Sequence, residues 1–161
     1  MSLQTFLPNI LYAKPTCLLK WTIGINYFVF GMLKFFNGLS PAEILAKDTI
    51  HLLTFGLIPD TVSYLLLAIW EVSIGVLFLS GYFTRFGAKS AILHLTLTFT
   101  PLILFPNVAF SLAPPYGFTI VGQYIVKNLV FLAAMIIILR EELNNSTMIE
   151  NAARTTRPEV Q

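Results

Sequence analysis

Cysteine occurs once in the 161 residues, at Cys17. A lone thiol excludes an internal disulfide, a Cys-x-x-Cys redox pair and a thiolate metal cluster, so electrons handled here must be carried by something else. Histidine occurs twice, and His51 and His94 lie in separate segments, which argues against bis-histidine haem ligation inside a membrane. Charge is equally scarce: charged residues make up 11% of the chain and the formal net charge is +2. No Lys/Arg run supplies the electrostatic footprint of nucleic-acid binding. No metal and no cofactor within the chain is expected.

Apolar residues, in contrast, reach 56%, and the mean hydropathy is +0.75. That is an integral membrane composition. Leu18 to Phe36, Thr61 to Ser80, Phe86 to Phe105 and Val121 to Leu139 are each long and apolar enough to span. At 1.5 Å per residue, about 20 residues match a hydrocarbon core roughly 30 Å thick. The expected fold is all-α, a four-helix transmembrane bundle forming one domain over residues 1–161. The N-terminal segment carries Pro8 and Pro15 and no cleavage-site pattern, so span one is expected to be retained rather than removed as a signal peptide. The tail over 143–161 is polar and expected to fray.

Basic residues set the expected orientation. Lys14 and Lys20, then Arg85 and Lys89, then Arg140, Arg154 and Arg157 fall on one side. The other side has Lys47 accompanied by Glu43, Asp48 and Asp60, and an uncharged loop from Pro106 to Ile120 with Phe110, Tyr116 and Phe118 as an aromatic belt. The positive-inside rule then places both termini in the cytoplasm, in a cell (inner) membrane.

The five residues Gly81 to Arg85 make spans two and three an antiparallel hairpin. The longer outer segment between spans one and two opens with Ser40-Pro41-Ala42-Glu43, a capping-box pattern with Pro at the first helical position. A short amphipathic helix is predicted from about Pro41 to Thr54. Its apolar face, Ile44, Leu45, Leu52 and Leu53, suits either the membrane surface or the mouth of the bundle, as a connector or as a lid.

The polar residues inside the spans are the candidates for function. Counted from the outer span ends, Lys34 lies roughly 4 Å deep, Lys127 about 9 Å, Glu71 about 15 Å and His94 about 16 Å. Lys127 can descend to Glu71 and neutralise both charges, or snorkel outward. Gln123 and Lys127, like Tyr124 and Asn128, are four apart and predict one inward polar stripe on span four. Gly24, Gly31 and Lys34 share a face of span one; Tyr64, Ala68, Glu71 and Gly75 share one of span two; Gly87, Ala91, His94, Thr98, Pro101 and Phe105 share one of span three. Small residues on those faces allow close helix approach, which places the polar groups inward. Pro101 removes the bond to the Leu97 carbonyl and predicts a kink.

Each group also has a plainer role: an ion pair of Glu71 with Lys127 or Lys34 can simply lock helix register, and His94 beside Thr98 can be a hydrogen-bonded packing residue. The candidate ligand-binding set is Lys34, Glu71, His94, Gln123, Tyr124, Lys127 and Asn128, with no catalytic residue assigned.

Phe30-Gly31-Met32-Leu33-Lys34-Phe35-Phe36, Ser40-Pro41-Ala42-Glu43, Trp70-Glu71-Val72 with Gly75, Gly81 and Arg85, Thr98-Phe99-Thr100-Pro101-Leu102, and Gly122-Gln123-Tyr124-Ile125-Val126-Lys127-Asn128-Leu129 together resemble the DoxX family of small four-span membrane proteins. The resemblance covers about Leu18 to Leu139 in order. Many members have Glu directly before Gly-Gln-Tyr; here that position is Val121, so Glu71 would have to serve as the lysine's partner. The resemblance implies a membrane component similar to subunits of thiosulfate:quinone oxidoreductase, or to assemblies active in oxidative stress. Distant relatives look like cargo receptors or assembly chaperones.

Three functions are carried forward. The first is a membrane subunit or partner of a quinone-linked or oxidative-stress redox complex, with quinone as candidate cofactor and the redox-complex subunits as partners. The second is a non-enzymatic scaffold or assembly protein whose ion pair is structural. The third is a small-solute transporter acting as a homo-oligomer, since four spans are few for alternating access.

Overall fold

Runs of Leu, Ile, Val and Phe that leave few polar side chains to bond the backbone favour helices, which satisfy their own N–H and C=O groups. A computed structural model describes residues 15–111 and 116–155, with side chains through residue 148. The segment with Pro8 and Lys14 and the end with Arg157 lie outside the described residues. The elements are α1 (Pro15–Leu33), α2 (Glu43–Leu53), α3 (Asp60–Ser80), α4 (Thr84–Thr98), α5 (Pro101–Leu104), α6 (Pro106–Ala109), β1 (Phe110–Ser111), β2 (Gly117–Phe118) and α7 (Ile120–Thr155). Pro15–Leu33, Asp60–Ser80, Thr84–Leu104 and Ile120–Met148 are each long and apolar enough to cross a membrane. The protein is an all-α bundle, apart from one two-residue strand pair.

α1 packs most extensively on α3, and α4 on α7; the α3–α4 hairpin and an α1–α7 contact close the bundle. Glycine makes the α1–α3 crossing tight. A methyl group at Gly31 would lie 2.8 Å from the Val72 amide nitrogen, and one at Gly75 would lie 2.6 Å from the Phe28 nitrogen. The apolar core, Ile23, Tyr27, Ile74, Phe78, Ala88, Ala91, Leu95, Ala134, Met135 and Ile138, fills the half nearer the α3–α4 turn. Gly81 caps α3 at φ 72°, as the turn requires. Outside, Trp21, Val29, Leu66, Ile69, Leu93, Val130 and Ile137 are exposed, which suits lipid.

Span three breaks where Pro101 predicts. The Leu97 carbonyl is taken instead by the Thr100 amide at 3.1 Å and the Thr100 hydroxyl at 2.7 Å.

Several local expectations are corrected. Span one ends at Leu33 rather than Phe36, because Lys34, Phe35 and Phe36 leave the helix in successive i to i−3 hydrogen bonds. The capping box does not form: the Glu43 carboxylate accepts the Gly38 amide at 2.8 Å and the Lys47 ammonium, so it is not available to Ser40. α2 therefore starts at Glu43. Its apolar Ile44, Leu52 and Leu53 face outward, while Thr49 is buried and the Lys47 ammonium lies 5.0 Å above the Tyr64 ring. In a bilayer the outside is the apolar solvent, so the usual in-and-out pattern inverts.

The tail is helical as far as Thr155 rather than frayed from residue 143. Arg140 to Leu143 are strong helix formers, and Glu142 is anchored by Lys20. The Ser146 and Thr147 hydroxyls bond back to the carbonyls one turn earlier and so do not compete with the helix. The loop before α7 is also built: β1 pairs antiparallel with β2, and the Thr119 hydroxyl accepts the Gly122 amide at 3.1 Å as an N-cap.

Candidate functional site

Glu71 sits on the inward face of α3 with 6% of its surface exposed, at the level where Gly31 lets α1 touch the α3 backbone. Lys34 is three residues beyond Gly31, about 4.5 Å along the axis, which is within a lysine stem's reach. Its ammonium meets Glu71 Oε2 at 2.6 Å, with the Phe30 carbonyl 3.5 Å away. The second carboxylate oxygen, Oε1, lies 3.0 Å from His94 Nε2 on α4. His94 Nδ1 lies 3.2 Å from the Tyr27 hydroxyl, which returns the chain of bonds to α1.

A carboxylate only accepts, so His94 Nε2 carries the hydrogen and Nδ1 takes the Tyr27 hydroxyl hydrogen. The Lys34 ammonium and the Glu71 carboxylate balance each other as charges. Every acceptor and ring nitrogen in the chain Tyr27–His94–Glu71–Lys34 has a partner.

Aromatic edges hold the imidazole. Trp70 stands at 87° to His94 with ring centres 5.3 Å apart, and Tyr27 at 68° and 5.4 Å. The Trp70 indole N–H donates to Ser90 Oγ at 2.7 Å, tying α3 to α4 one turn from His94. Tyr27, Trp70 and Ser90 are site residues that the sequence reading left out. Tyr27 had a signal, since Gly24, Tyr27, Gly31 and Lys34 keep the 3-and-4 spacing of one helix face.

The span-four stripe divides. Asn128 turns inward and donates to Thr98 Oγ1 at 3.3 Å, one turn from His94. Gln123 donates to the Phe118 carbonyl at 3.4 Å, and Tyr124 is 64% exposed. Lys127 is exposed with its ammonium 5.2 Å from the Tyr124 ring centre, one turn toward the helix start. It is therefore the snorkelling cation, and Lys34 is the partner of Glu71. The inward face of α7 is instead Gly122, Ile125, Met135 and Ile138, and a methyl at Gly122 would strike the Ala109 carbonyl oxygen. His51 pairs with Asp60 at 2.9 Å, away from the cluster.

The Tyr64 hydroxyl is different. It is on the Glu71 face of α3, two turns nearer α2, in a residue only 3% exposed. It makes no hydrogen bond; Ser40 is near it but outside hydrogen-bond geometry. Among the described residues, no group of three or more His, Cys, Asp or Glu side chains is placed to hold a metal ion.

No family model, curated protein or solved structure matches this chain. Function therefore rests on the site.

Proposed function

We propose that this is a DoxX-like integral membrane protein serving a quinone-linked redox complex, with Tyr27–His94–Glu71–Lys34 as its intramembrane proton-handling chain. The observation that carries this reading is Glu71 shared between an ammonium and an imidazole, deep in a helix bundle. Intramembrane ionisable groups of this kind mark proton paths. A partner oxidoreductase would supply the electrons, since the lone thiol of Cys17 cannot form a redox disulfide within the chain. Reducing a quinone to a quinol consumes two electrons and two protons; the chain's part would be to deliver protons through Glu71 and replace them through His94.

The buried Tyr64 hydroxyl, whose polar neighbour is Ser40, supports a ligand on the α2 side of the cluster, because a carbonyl oxygen there would accept its hydrogen. Lys20, Arg85, Lys89 and Arg140 lie at the opposite end, so the positive-inside rule puts that end in the cytoplasm and the Lys34 end outside.

The test is a titration of purified protein with a short-chain quinone analogue, read by tryptophan fluorescence, since Trp70 abuts His94. Saturable quenching that Glu71→Gln and Tyr64→Phe weaken supports the reading. Quenching that is absent, or that neither substitution alters, counts against it.

A second reading is favoured by one observation: the cluster is satisfied internally at the closest helix crossing. In that case the protein is a scaffold, and the same variants change stability without changing any binding.

A further inference from the structure

At the end of the bundle remote from Glu71, the start of α1, the α3–α4 turn and the far part of α7 enclose a cleft of about 510 Å³. That volume falls in the ~300–1,000 Å³ range of small-molecule sites. Its charged lining is Lys20, Arg85, Glu141 and Glu142. Lys20 and Glu142 neutralise each other as an ion pair. Arg85 and Glu141 have no ion-pair partner among the described residues and do not pair with each other.

Among the described residues, the cleft thus presents an unpaired cation and an unpaired anion at the end of the spans, where lipid headgroups lie. We propose that it binds the zwitterionic headgroup of a phosphatidylethanolamine-type lipid, Arg85 holding the phosphate and Glu141 the primary ammonium.

The surroundings fit a lipid rather than a free solute. Trp21 and Phe83 line the cleft and are 52% and 78% exposed, and Tyr82 beside them is 73% exposed; Trp21 and Tyr82 are amphipathic rings of the kind expected at a membrane interface. From there Ile25 and Val76 continue an exposed apolar surface along which acyl chains can lie. Arg85 is also in the first turn of α4, whose first helical bond is Gly87 N–H to the Phe83 carbonyl, so earlier amides have no helical acceptor and favour the phosphate further. An anionic lipid would meet Glu141 with no compensating cation. A choline headgroup offers Glu141 no N–H. None of these residues belongs to the Glu71 cluster.

The test is native mass spectrometry of the purified protein with phosphatidylethanolamine, phosphatidylglycerol and phosphatidylcholine of matched chains, competed by soluble glycerophosphoethanolamine. Phosphatidylethanolamine should be retained about fivefold better than either other lipid, as expected of about one headgroup charge contact. Glu141→Gln should abolish that preference, whereas Arg85→Gln should weaken retention of all three lipids and Arg85→Lys should restore most of it. Equal retention of the three lipids, stronger retention of phosphatidylglycerol, a preference surviving Glu141→Gln, or retention unchanged by Arg85→Gln overturns the proposal. Full competition by the soluble headgroup would assign the cleft to a free zwitterion and also overturn it. The wild-type ranking decides by itself should a variant not fold.

Discussion

Lys34 and Glu71, 37 positions apart in sequence, form a buried ion pair at 2.6 Å, and His94 takes the other carboxylate oxygen. The pair is possible because Gly31 and Gly75 bring the α1 and α3 backbones together at that level. A buried carboxylate needs this company, since one stripped of its partners costs several kcal/mol.

The first expectation concerns those glycines. Gly31→Ala and Gly75→Ala should each destabilise the bundle by about 1–3 kcal/mol through overpacking. Gly117→Ala is the control, because a methyl there meets nothing within 4 Å. Thermal unfolding in detergent should lower the midpoint for the first two and leave the third unchanged.

Tyr27 and Tyr64, both buried, should respond oppositely. Tyr27→Phe strips His94 Nδ1 of its donor and should cost about 1–3 kcal/mol. Tyr64→Phe removes a hydroxyl that bonds nothing, so stability should hold or rise. Equal losses in chemical unfolding would show that the Tyr64 hydroxyl is partnered.

Lys127→Met should change stability by less than about 0.5 kcal/mol, as for an exposed residue without a partner of opposite charge. A loss of several kcal/mol in the same unfolding assay would mean that Lys127 reaches the cluster.

Much of this was legible in the sequence. The four spans, the break at Pro101, the shared level of Glu71 and His94, and the small-residue faces of spans one to three follow from length, proline chemistry and 3-and-4 spacing. The direction of Lys127 was not. Span four is apolar almost all round, so a four-residue polar stripe cannot say which side meets the bundle, and Gly122 against the Ala109 carbonyl decides the rotation. Depth counted from the span ends sets Lys34 well above Glu71, but that count follows backbone rise alone: Gly31 packs against Glu71 and Val72, and the lysine stem covers the remaining distance. Ser40 and Glu43 have capping-box spacing, but Gly38 and Lys47 compete for the carboxylate, which no local pattern reveals.

That competition has a pH signature. The Lys47 ammonium, and then the Gly38 amide, hold the Glu43 carboxyl below its ordinary value of 4.5, and Glu43 in turn raises Lys47. A lowered acid stabilises above its unfolded value, and the contribution fades as pH falls through the folded value. An NMR titration should therefore show the Gly38 amide resonance moving toward its unbonded position below pH 4.5, with Glu43→Gln abolishing the shift. A resonance unmoved in the wild type would contradict the bond.

The most direct measurement is a double-mutant cycle of Glu71→Gln with Lys34→Met, run beside one of Glu71→Gln with Lys127→Met. Lys34→Met alone should cost about 3–5 kcal/mol by stranding the carboxylate, and adding Glu71→Gln should restore most of it. The Lys127 cycle should show no coupling. Coupling of Glu71 to Lys127, with none to Lys34, would contradict the ion pair at the centre of the site.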